Sequence, residues 1–349
     1  MSVSTMQKSE LIKKAIEKLK IKGVRWVHST FIDVRGLMQD VVVPAREYLS
    51  GKAFKAGIGF DGSSIRGFKS IEESDMLLKP DPETLAVIPW LQDEKQRSAI
   101  IIGDVYEAYS SNEPSEVCPR GYVARRAEKE AENIGYRSYF GPELEYFIFS
   151  SIDPTHLVWD LWVSPRGGEG DSWGAPRVVP KSPEITPGRF ILRPKEAYFR
   201  PPPEDTTIEY RNEVASILED SFGFKIEMHH HEVATAGQLE IDFQYGRLIE
   251  TADRTIYYKF VAKNIARKYG MIATFMPKPV YLDNASGMHV HVSIWKGNEN
   301  AMYDENDEYA ELSQTGRYFI GGLLEHAKAL TAICCPTVNS YKRLVPGFE

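Results

Sequence analysis

Three segments of the sequence each combine the period of a β-strand with paired side chains that bind metal ions. They are GPELEYFIF (141–149), IEMHHHEVATAGQLEIDF (226–243) and GMHVHVS (287–293). Because residues i and i+2 of a strand lie on one face, Glu143 and Glu145 point the same way, as do His289 and His291. Carboxylates that face one another are costly unless a cation lies between them. The pattern therefore predicts a sheet with a metal centre on one face.

The middle segment adds Glu232 and Glu240, and Gly237 between them can turn the chain from one strand to the next. A single pair of glutamates is most often a solvated face, and a lone HxH is more often structural than a ligand. Three such segments in one chain favour the metal centre. Zinc sites are typically marked by HExxH or paired cysteines, which are missing from this sequence. A set dominated by glutamates suits Mg²⁺ or Mn²⁺.

Hard cations of this kind usually bind nucleotide phosphates, so the ligand set favours phosphoryl transfer as the class of reaction. The phosphate-binding motif GxxxxGK[ST] does not occur. GIGFDG (57–62) matches GxGxxG, but no strand-like run precedes it and no helical pattern follows. If ATP binds, we therefore expect it to bind on a sheet surface with metal ions and not on a glycine-rich loop.

Composition excludes several other classes of protein. The 349 residues carry a net charge of −7 and only three cysteines. A nucleic-acid-binding protein usually shows a basic stripe, and a secreted domain of this kind usually shows a framework of cysteines. The sequence has no apolar run as long as a membrane span and no apolar signal core near its start. A cytoplasmic protein is the expected class.

The order of patterns predicts two domains with a boundary near residue 112, so that the domains cover 1–112 and 113–349. Two strand-like runs flank DVRG (33–36), which predicts a hairpin, and SAIIIGDVY (98–106) predicts another strand. Residues 151–205 are rich in Pro and Gly and contain three tryptophans, which favours an ordered loop.

Helices are predicted over about 119–134, 207–222, 251–269 and 314–333. In the first of these, the apolar stripe that should face the core is formed by Val123, Ala127, Ala131 and Ile134.

These motifs together resemble the glutamine synthetase family of the long prokaryotic type. The resemblance is carried by FDGSSIRGF (60–68), ESDMLLKPD (73–81), TFMPKP (274–279), NASGMHVHVS (284–293) and NSYKRLVPGFE (339–349), with the two glutamate segments. It implies an α+β fold: an N-terminal β-grasp domain and a glutamine synthetase/guanido kinase-like catalytic domain with a curved antiparallel sheet. It also implies a homo-oligomer, a dodecamer of two hexameric rings, whose active sites lie between subunits.

The implied reaction is ATP-dependent formation of glutamine from glutamate and ammonium through γ-glutamyl phosphate, with Mg²⁺ or Mn²⁺ at two sites. The resemblance assigns Glu145, Glu232 and Glu240 to the first metal and Glu143 and His289 to the second. Around the nucleotide it places Glu227, His291 and Ser293.

The resemblance also assigns the two other substrates. Asn284 and the backbone of Ala285 are expected to contact glutamate, and Arg343 is expected to face the substrate or the transferred phosphate. Asp33 is expected to be offered to ammonium by a neighbouring subunit, Tyr198 to complete the ammonium pocket with Glu232, and Glu349 to close over the intermediate.

Two departures from the family pattern carry expectations of their own. Ala285 stands where the family usually has glycine, and we expect the added methyl group to be tolerated because the contact uses a backbone carbonyl. The sequence ends at Glu349, inside the flap motif, whereas family members continue with an NRS-type segment. A polypeptide that truly ends there is expected to show weak or absent activity and poor solubility.

Two alternatives to an ammonia-using glutamine synthetase remain open from the sequence. One is a γ-glutamyl ligase that uses a polyamine or another amine. The other is a truncated, non-catalytic homologue that binds metal or nucleotide. The amine that stimulates ADP release distinguishes the first alternative, and nucleotide binding without turnover distinguishes the second.

Overall fold

The computed structural model of the protein describes residues 5–109, 113–150, 195–234, 237–280 and 283–346. The chain divides into two compact units, Met1–Arg137 with Leu248–Asp253, and Ser138–Arg247 with Arg254–Glu349. The domain boundary expected near residue 112 falls outside the described residues and stays a prediction. The same holds for the tryptophans of the predicted loop, since residues 151–194 lie outside the described ranges.

The first unit is built on a mixed sheet of six strands in the order β2-β1-β6-β4-β3, with β5 paired to β6. Strands β1 and β6 run parallel, and the other pairs are antiparallel. The strands are β1 Trp26–Ile32, β2 Met38–Pro44, β3 Ile58–Asp61, β4 Asp75–Pro80, β5 Ala86–Val87 and β6 Ser98–Glu107. The hairpin predicted around DVRG is confirmed, because β1 and β2 pair on either side of it.

Several α-helices accompany this sheet. They are α1 Thr5–Ile21, α2 Arg46–Leu49, α3 Lys52–Ala56 and α4 Arg125–Asn133, the last preceded by a π-helical turn at Pro119–Ala124. Ala15 and Leu19 of α1 are buried in one apolar cluster with Val27, Tyr48 and Ile101. Ala15 and Leu19 are four residues apart, so they mark the side of α1 that faces the sheet, and their burial stabilises a helix that would be marginal alone.

The apolar stripe predicted for residues 119–134 is wrong. Val123 is 59% exposed and Ile134 is 73% exposed. The buried part of this segment is instead Arg120 and Gly121, at its start. Arg120 forms ion pairs with Asp81, Asp104 and Asp253, and these pairs hold the segment to the rest of the unit.

The second unit contains a sheet in the order β12-β11-β7-β9-β8, with β10 paired to β7. Its strands are β7 Arg137–Phe149, β8 Ile226–His231, β9 Gln238–Phe243, β10 Ile272–Thr274, β11 Met288–Lys296 and β12 Glu299–Asn300. The long strand β7 is antiparallel to both β9 and β10. Each of the three segments with metal-binding side chains therefore contributes strands to one sheet.

Tyr146 of β7 packs on aromatic residues of a helix and of the segment that follows β10. Tyr146 stacks on Phe275 with ring centroids 4.9 Å apart and meets Tyr258 edge to face. The remaining helices are α5 Ile208–Phe222, α6 Leu248–Lys268, α7 Gln314–Glu325, α8 Ala327–Cys334 and α9 Val338–Arg343. Because neighbouring residues of a strand face opposite ways, the packing of Tyr146 leaves Glu145 on the other face of the sheet. Across the described ranges, the helices are too short or too polar to cross a bilayer.

Candidate active site

Glu145 and Glu240 stand directly opposite each other in the antiparallel pair of β7 and β9. Residues opposite one another in such a pair have their Cβ atoms about 4.5–5.5 Å apart. Glu143 lies two residues before Glu145, so it shares the same face. The sheet therefore gathers carboxylates that repel one another in the absence of a cation.

Strand β8 adds an imidazole to this face, and the residue after the end of β8 adds a fourth carboxylate. His230 is the register partner of Glu240, and its Nδ1 lies 3.3 Å from Oε1 of Glu232. Ligand atoms of His230, Glu232 and Glu240 all lie within 4.8 Å of one another. Two of the predicted metal ligands are thus brought together, with a histidine that the sequence analysis did not assign. Its spacing of two from Glu232 was the available signal.

The electrostatics of this cluster show the cost of confining these carboxylates without a cation. Burial, followed by the charge of Glu145, raises the pKa of Glu232 to about 7. Burial and a hydrogen bond with Asp242 raise the pKa of Glu240 to about 9. Burial lowers the pKa of His230, which favours the neutral imidazole that binds metals. The ligand set therefore fits a divalent cation, whose charge would favour the ionised carboxylates.

Asp242 is a second residue that the sequence analysis missed. It follows Glu240 by two residues on β9, so it lies on the same face. Its Oδ2 lies 3.9 Å from Nε2 of His230. Burial raises the pKa of Asp242 as well. The QLEIDF segment therefore supplies two acids to the face, where the resemblance had drawn attention to one.

Histidines of β11 contact the two glutamates of β7. Nε2 of His291 lies 2.7 Å from Oε1 of Glu143, and Nε2 of His289 lies 3.7 Å from Oε1 of Glu145. The resemblance had instead grouped Glu143 with His289 at one metal and had placed His291 at the nucleotide. Those assignments stay predictions, and the structure shows that all four side chains belong to one continuous face.

Gly287 leaves no room for a side chain beside these ligands. A Cβ atom there would lie 2.8 Å from Oε1 of Glu145 and 3.0 Å from Nε2 of His289. The backbone N–H of Gly287 also donates to Oε2 of Glu145 at 2.9 Å. Glycine is required here for close packing, since both neighbours are metal-ligand candidates.

We expect Gly287→Ala to weaken divalent-cation affinity by about 10–100-fold, the usual effect of disturbing groups that orient metal ligands. Isothermal titration with Mn²⁺ measures the change. The matched control is Gly321→Ala in α7, where a Cβ atom meets nothing within 4 Å and where alanine favours the helix. Equal affinity in Gly287→Ala and the wild type would contradict the proposed role of this glycine.

The segment predicted to bind glutamate lies directly before Gly287. Ala285 is buried, and its carbonyl oxygen accepts a hydrogen bond from Nε2 of Gln238 at 2.9 Å. The side-chain Oδ1 of Asn284 is buried and has no hydrogen-bond partner among the described residues. A buried amide oxygen without a donor is costly, so Asn284 has an acceptor that a ligand with N–H groups would satisfy.

Arg343 ends α9, which is tied to the same region. Asn339 of α9 exchanges two hydrogen bonds with the backbone of Lys278, at 2.7 and 2.9 Å. The Lys278 ammonium in turn donates to the carbonyl of Asp283, next to Asn284. The Nε of Arg343 is buried and has no partner among the described residues. Its assignment to glutamate or phosphate stays a prediction.

The remaining nucleotide candidates, Glu227 and Ser293, lie on two different strands, β8 and β11. Glu227 is exposed at an irregularity in the pairing of β8 with β9. Ser293 accepts a hydrogen bond from the indole N–H of Trp295. Its spacing of two from His291 places both on one face of β11. These placements leave the predicted role of each residue open to test.

Tyr198 lies beside the carboxylate cluster. Its ring stacks on Phe199 and meets the imidazole of His230 edge to face, with centroids 5.3 Å apart. Burial, followed by the charges of Glu232 and Glu240, raises the pKa of its hydroxyl. Its predicted place near Glu232 agrees with this electrostatic influence, while its role toward ammonium stays a prediction.

Asp33 lies in the first unit, at the turn between β1 and β2, and is fully buried. Five hydrogen bonds reach its carboxylate, from backbone and side-chain groups of Arg35, Leu37 and Gln39. Burial raises its pKa, but these bonds outweigh burial and hold the pKa below its usual value. Asp33 therefore stabilises its own turn, and its role toward ammonium stays a prediction. Glu349 lies outside the described residues.

Replacing Asp33 with alanine is expected to lower the free energy of unfolding by about 2–4 kcal/mol, because buried donors lose a charged acceptor. Since its folded pKa is depressed, this contribution is present above the usual carboxyl pKa and is lost as the pH falls through the folded value. Urea unfolding tests both points. The control is Asp40→Asn in the same hairpin, an exposed partner of His28, which should cost under about 1 kcal/mol. A change no larger than this control would contradict the expectation.

A mixed α/β chain with this carboxylate and imidazole face belongs to the class of enzymes that depend on divalent cations. Comparison with known families makes the class specific. Residues 23–108 match the family model described as "Glutamine synthetase, beta-Grasp domain", and residues 116–349 match "Glutamine synthetase, catalytic domain". The chain belongs to the glutamine synthetase family, whose members are ATP-dependent ligases that use divalent metals.

Individual relatives support this assignment. A glutamine synthetase of Archaeoglobus fulgidus is 58% identical over 97% of this chain and 69% of the relative. A glutamine synthetase of Sulfolobus acidocaldarius is 49% identical over 96% of this chain and 68% of the relative. A solved glutamine synthetase of Plasmodium falciparum superposes with a TM-score of 0.80 at 29% identity, covering 98% of this chain and 64% of that one. The fold expected from the resemblance, a β-grasp domain and a catalytic domain with a curved sheet, is confirmed.

Proposed function

We propose that the protein is a glutamate–ammonia ligase that makes glutamine by way of γ-glutamyl phosphate. The single observation that carries the proposal is the face of β7, β8 and β9. There, His230, Glu232 and Glu240 bring ligand atoms within 4.8 Å of one another. The acids of this cluster resist ionisation when no cation is present. A hard cation such as Mg²⁺ or Mn²⁺ would stabilise their ionised form.

Glu145, Glu232 and Glu240 would hold one cation, and Glu143 and His289 a second. When bound, such ions neutralise the charge of ATP and polarise the phosphoryl group that is transferred. Arg343 would add a fixed positive charge on the transferred group. Attack of the γ-carboxylate of glutamate on the terminal phosphorus of ATP forms the C–O–P bond of γ-glutamyl phosphate and releases ADP.

The second half of the reaction requires ammonia, whereas ammonium is the form that dominates near neutral pH. Ammonium would be attracted by the charge of Glu232, which has Tyr198 beside it. Asp33 and Glu349 would complete this pocket, as the resemblance implies. A carboxylate of this pocket would accept a proton from ammonium, which leaves ammonia as the nucleophile. Ammonia then attacks the acyl carbon, phosphate departs, and glutamine remains. Glu349 would exclude water, which would otherwise hydrolyse the acyl phosphate.

We further propose a dodecamer of two hexameric rings in the cytoplasm, where ATP is supplied. Exposed apolar side chains on the first hairpin support a surface that another subunit covers, since Val34, Leu37 and Val42 are each about half exposed. Native mass spectrometry tests the assembly. A monomer at micromolar concentration would count against the proposed intersubunit sites.

The test of the reaction is ADP release in the presence of glutamate and Mg²⁺ or Mn²⁺, with and without ammonium. Release that depends on both glutamate and ammonium is the expected result, and EDTA should abolish it. A panel of larger amines, including a polyamine, is assayed in parallel. Stronger stimulation by one of these amines would overturn ammonium as the substrate. Binding of nucleotide without any release would overturn the ligase reaction.

A further inference from the structure

Gln238 is a buried amide that joins the metal-ligand face to the predicted glutamate segment. It is the first residue of β9 and is 1% exposed. Its Nε2 donates to Oε2 of Glu145 at 2.6 Å and to the carbonyl oxygen of Ala285 at 2.9 Å. Its Oε1 accepts from the backbone N–H of Ala234 at 3.1 Å. Both N–H groups and the oxygen of this side chain are therefore used.

The chemistry of the partners fixes the orientation of this amide. An ionised carboxylate and a backbone carbonyl only accept hydrogen bonds, and a backbone N–H only donates. The NH₂ group must therefore face Glu145 and Ala285, and the oxygen must face Ala234. A rotation of the amide by half a turn would leave all three contacts repulsive, so the side chain has one stable position.

The first consequence concerns Glu145. Its Oε2 already accepts from Gln238 and from the backbone N–H of Gly287. Its Oε1 is the oxygen that faces His289. With Oε2 bound to two donors, Glu145 can offer a cation only Oε1. Gln238 thus restricts this glutamate to one-oxygen coordination and fixes the direction from which it binds.

The second consequence concerns the segment from Asn284 to Gly287. One end is held because Gln238 binds the carbonyl of Ala285, and the N–H of Ser286 donates to the carbonyl of Pro277. The other end is held because Gly287 donates to Glu145. Gln238 is the side chain that bonds both the Glu145 carboxylate and the carbonyl of Ala285, so movement of the carboxylate reaches Ala285 most directly through its NH₂ group, while Gly287 ties Glu145 to the far end of the segment.

We propose that Gln238 is a positioning residue that couples cation binding at Glu145 to glutamate binding at Ala285. The glutamate half of this inference rests on the proposed function. A cation on Oε1 holds the Glu145 carboxylate in one place, which also holds the amide and the carbonyl of Ala285. The second ligand then meets a segment that is already ordered, so each ligand tightens the binding of the other.

The test measures the Mn²⁺ dissociation constant by electron paramagnetic resonance, with and without saturating glutamate, and the glutamate constant with and without Mn²⁺. In the wild type we expect each ligand to tighten the other by about 5-fold or more, by the same factor in both directions. In Gln238→Met both ligands should still bind, and the coupling factor should fall to about 1. The matched control, Asn264→Leu, removes a side-chain amide that bonds only the helix carbonyl of Phe260 and should keep the wild-type factor.

The outcomes separate this inference from the proposed function. Wild-type coupling that persists in Gln238→Met overturns the role of Gln238 and leaves the proposed function intact. A wild type that binds both ligands without coupling also overturns it. A wild type that binds neither Mn²⁺ nor glutamate overturns the proposed site, and this inference with it.

A second variant and a second measurement cover a loss of folding in Gln238→Met. Gln238→Leu is close to the amide in shape and has no N–H to donate, so the same loss of coupling is expected. In the wild type, the side-chain ¹⁵N–H₂ resonance of Gln238 should shift on addition of Mg²⁺ and again on addition of glutamate. A resonance that responds to neither ligand would overturn the coupling without any substitution.

Discussion

Glu240→Gln is expected to reduce ammonium-dependent ADP release by at least about 100-fold, while it stabilises the chain in the absence of divalent cations. The loss of activity follows because a predicted metal ligand is removed. This loss should exceed the 10–100-fold effect that is typical of removing a group that only orients a ligand. The gain in stability follows because Glu240 is surrounded by Glu145, Glu232 and Asp242, which oppose its charge. One substitution therefore acts in opposite directions on catalysis and on folding.

The gain in stability should depend on pH with a definite sign. The pKa of Glu240 is raised from 4.5 to about 9 in the folded chain. Between these values the folded state holds a proton that the unfolded state has released, so the stability of the wild type falls as the pH rises. The pKa values of Glu232 and Asp242 are also raised, while His230, facing Glu240, has a lowered pKa. In Glu240→Gln, stability should therefore still change with pH through these other groups, but without the contribution of Glu240.

Thermal unfolding at about pH 5.5 and about pH 8, with and without Mg²⁺, measures both effects. Without Mg²⁺ the melting temperature of the variant should be higher than that of the wild type, and the difference should be larger at the higher pH. Added Mg²⁺ should raise the melting temperature of the wild type strongly at the higher pH and that of the variant much less, because cation binding requires ionised ligands. Glu299→Gln, an exposed acid of β12, should change neither quantity by more than about 0.5 kcal/mol. A metal-free variant that is less stable than the wild type at the higher pH would contradict the assignment.

The period of a strand explains why so much of the face was predictable. Glu143, Glu145, His289 and His291 each follow from the rule that residues two apart share a face. The same rule applied backward from Glu232 gives His230, and applied forward from Glu240 gives Asp242. Neither residue belongs to the set of ligands that the resemblance implies, so only the strand period points to them.

The contacts of the face could not be read from the sequence. The pairing of Glu143 with His291, at 148 residues of separation, depends on which strands are neighbours. Gln238 falls on the same face by the two-residue rule, but an amide has no chemical signature of a metal site. Its importance comes from three partners on three different segments, and only the tertiary structure brings these together.

The prediction of a buried apolar stripe in residues 119–134 was wrong for a related reason. Residues 119–134 show an apolar period, yet the segment is held by Arg120, a residue that sequence patterns place on the surface. Its acidic partners are distant in the sequence, with Asp253 at a separation of 133 residues. Local periodicity describes which face of a helix is apolar. It cannot show that a guanidinium at the start of the segment finds its charge partners inside the unit.

Arg120→Met is therefore expected to lower the free energy of unfolding by about 3–5 kcal/mol, the cost of removing one partner from a buried ion pair. The guanidinium is 5% exposed, and it donates to Asp81, Asp104 and Asp253 at 2.7–2.8 Å. In the variant these aspartates would remain buried together, with only Arg125 to oppose the charges of Asp81 and Asp104. Methionine fills the space of the side-chain stem but supplies no donor.

Chemical unfolding of the two arginine variants separates the effect of burial from that of charge. Arg125 shares two of the aspartates but is 41% exposed, so Arg125→Met should cost only about 1 kcal/mol. The loss in Arg120→Met should shrink as the pH falls. Burial raises the pKa of Asp81, yet the nearby arginines outweigh burial and keep it below its usual value, so the stability that this ion pair gives the wild type is lost in acid. Equal losses in the two variants would show that the network acts through net charge alone. A loss in Arg120→Met that does not change with pH would show that packing of the stem, and not pairing with the aspartates, is what Arg120 contributes.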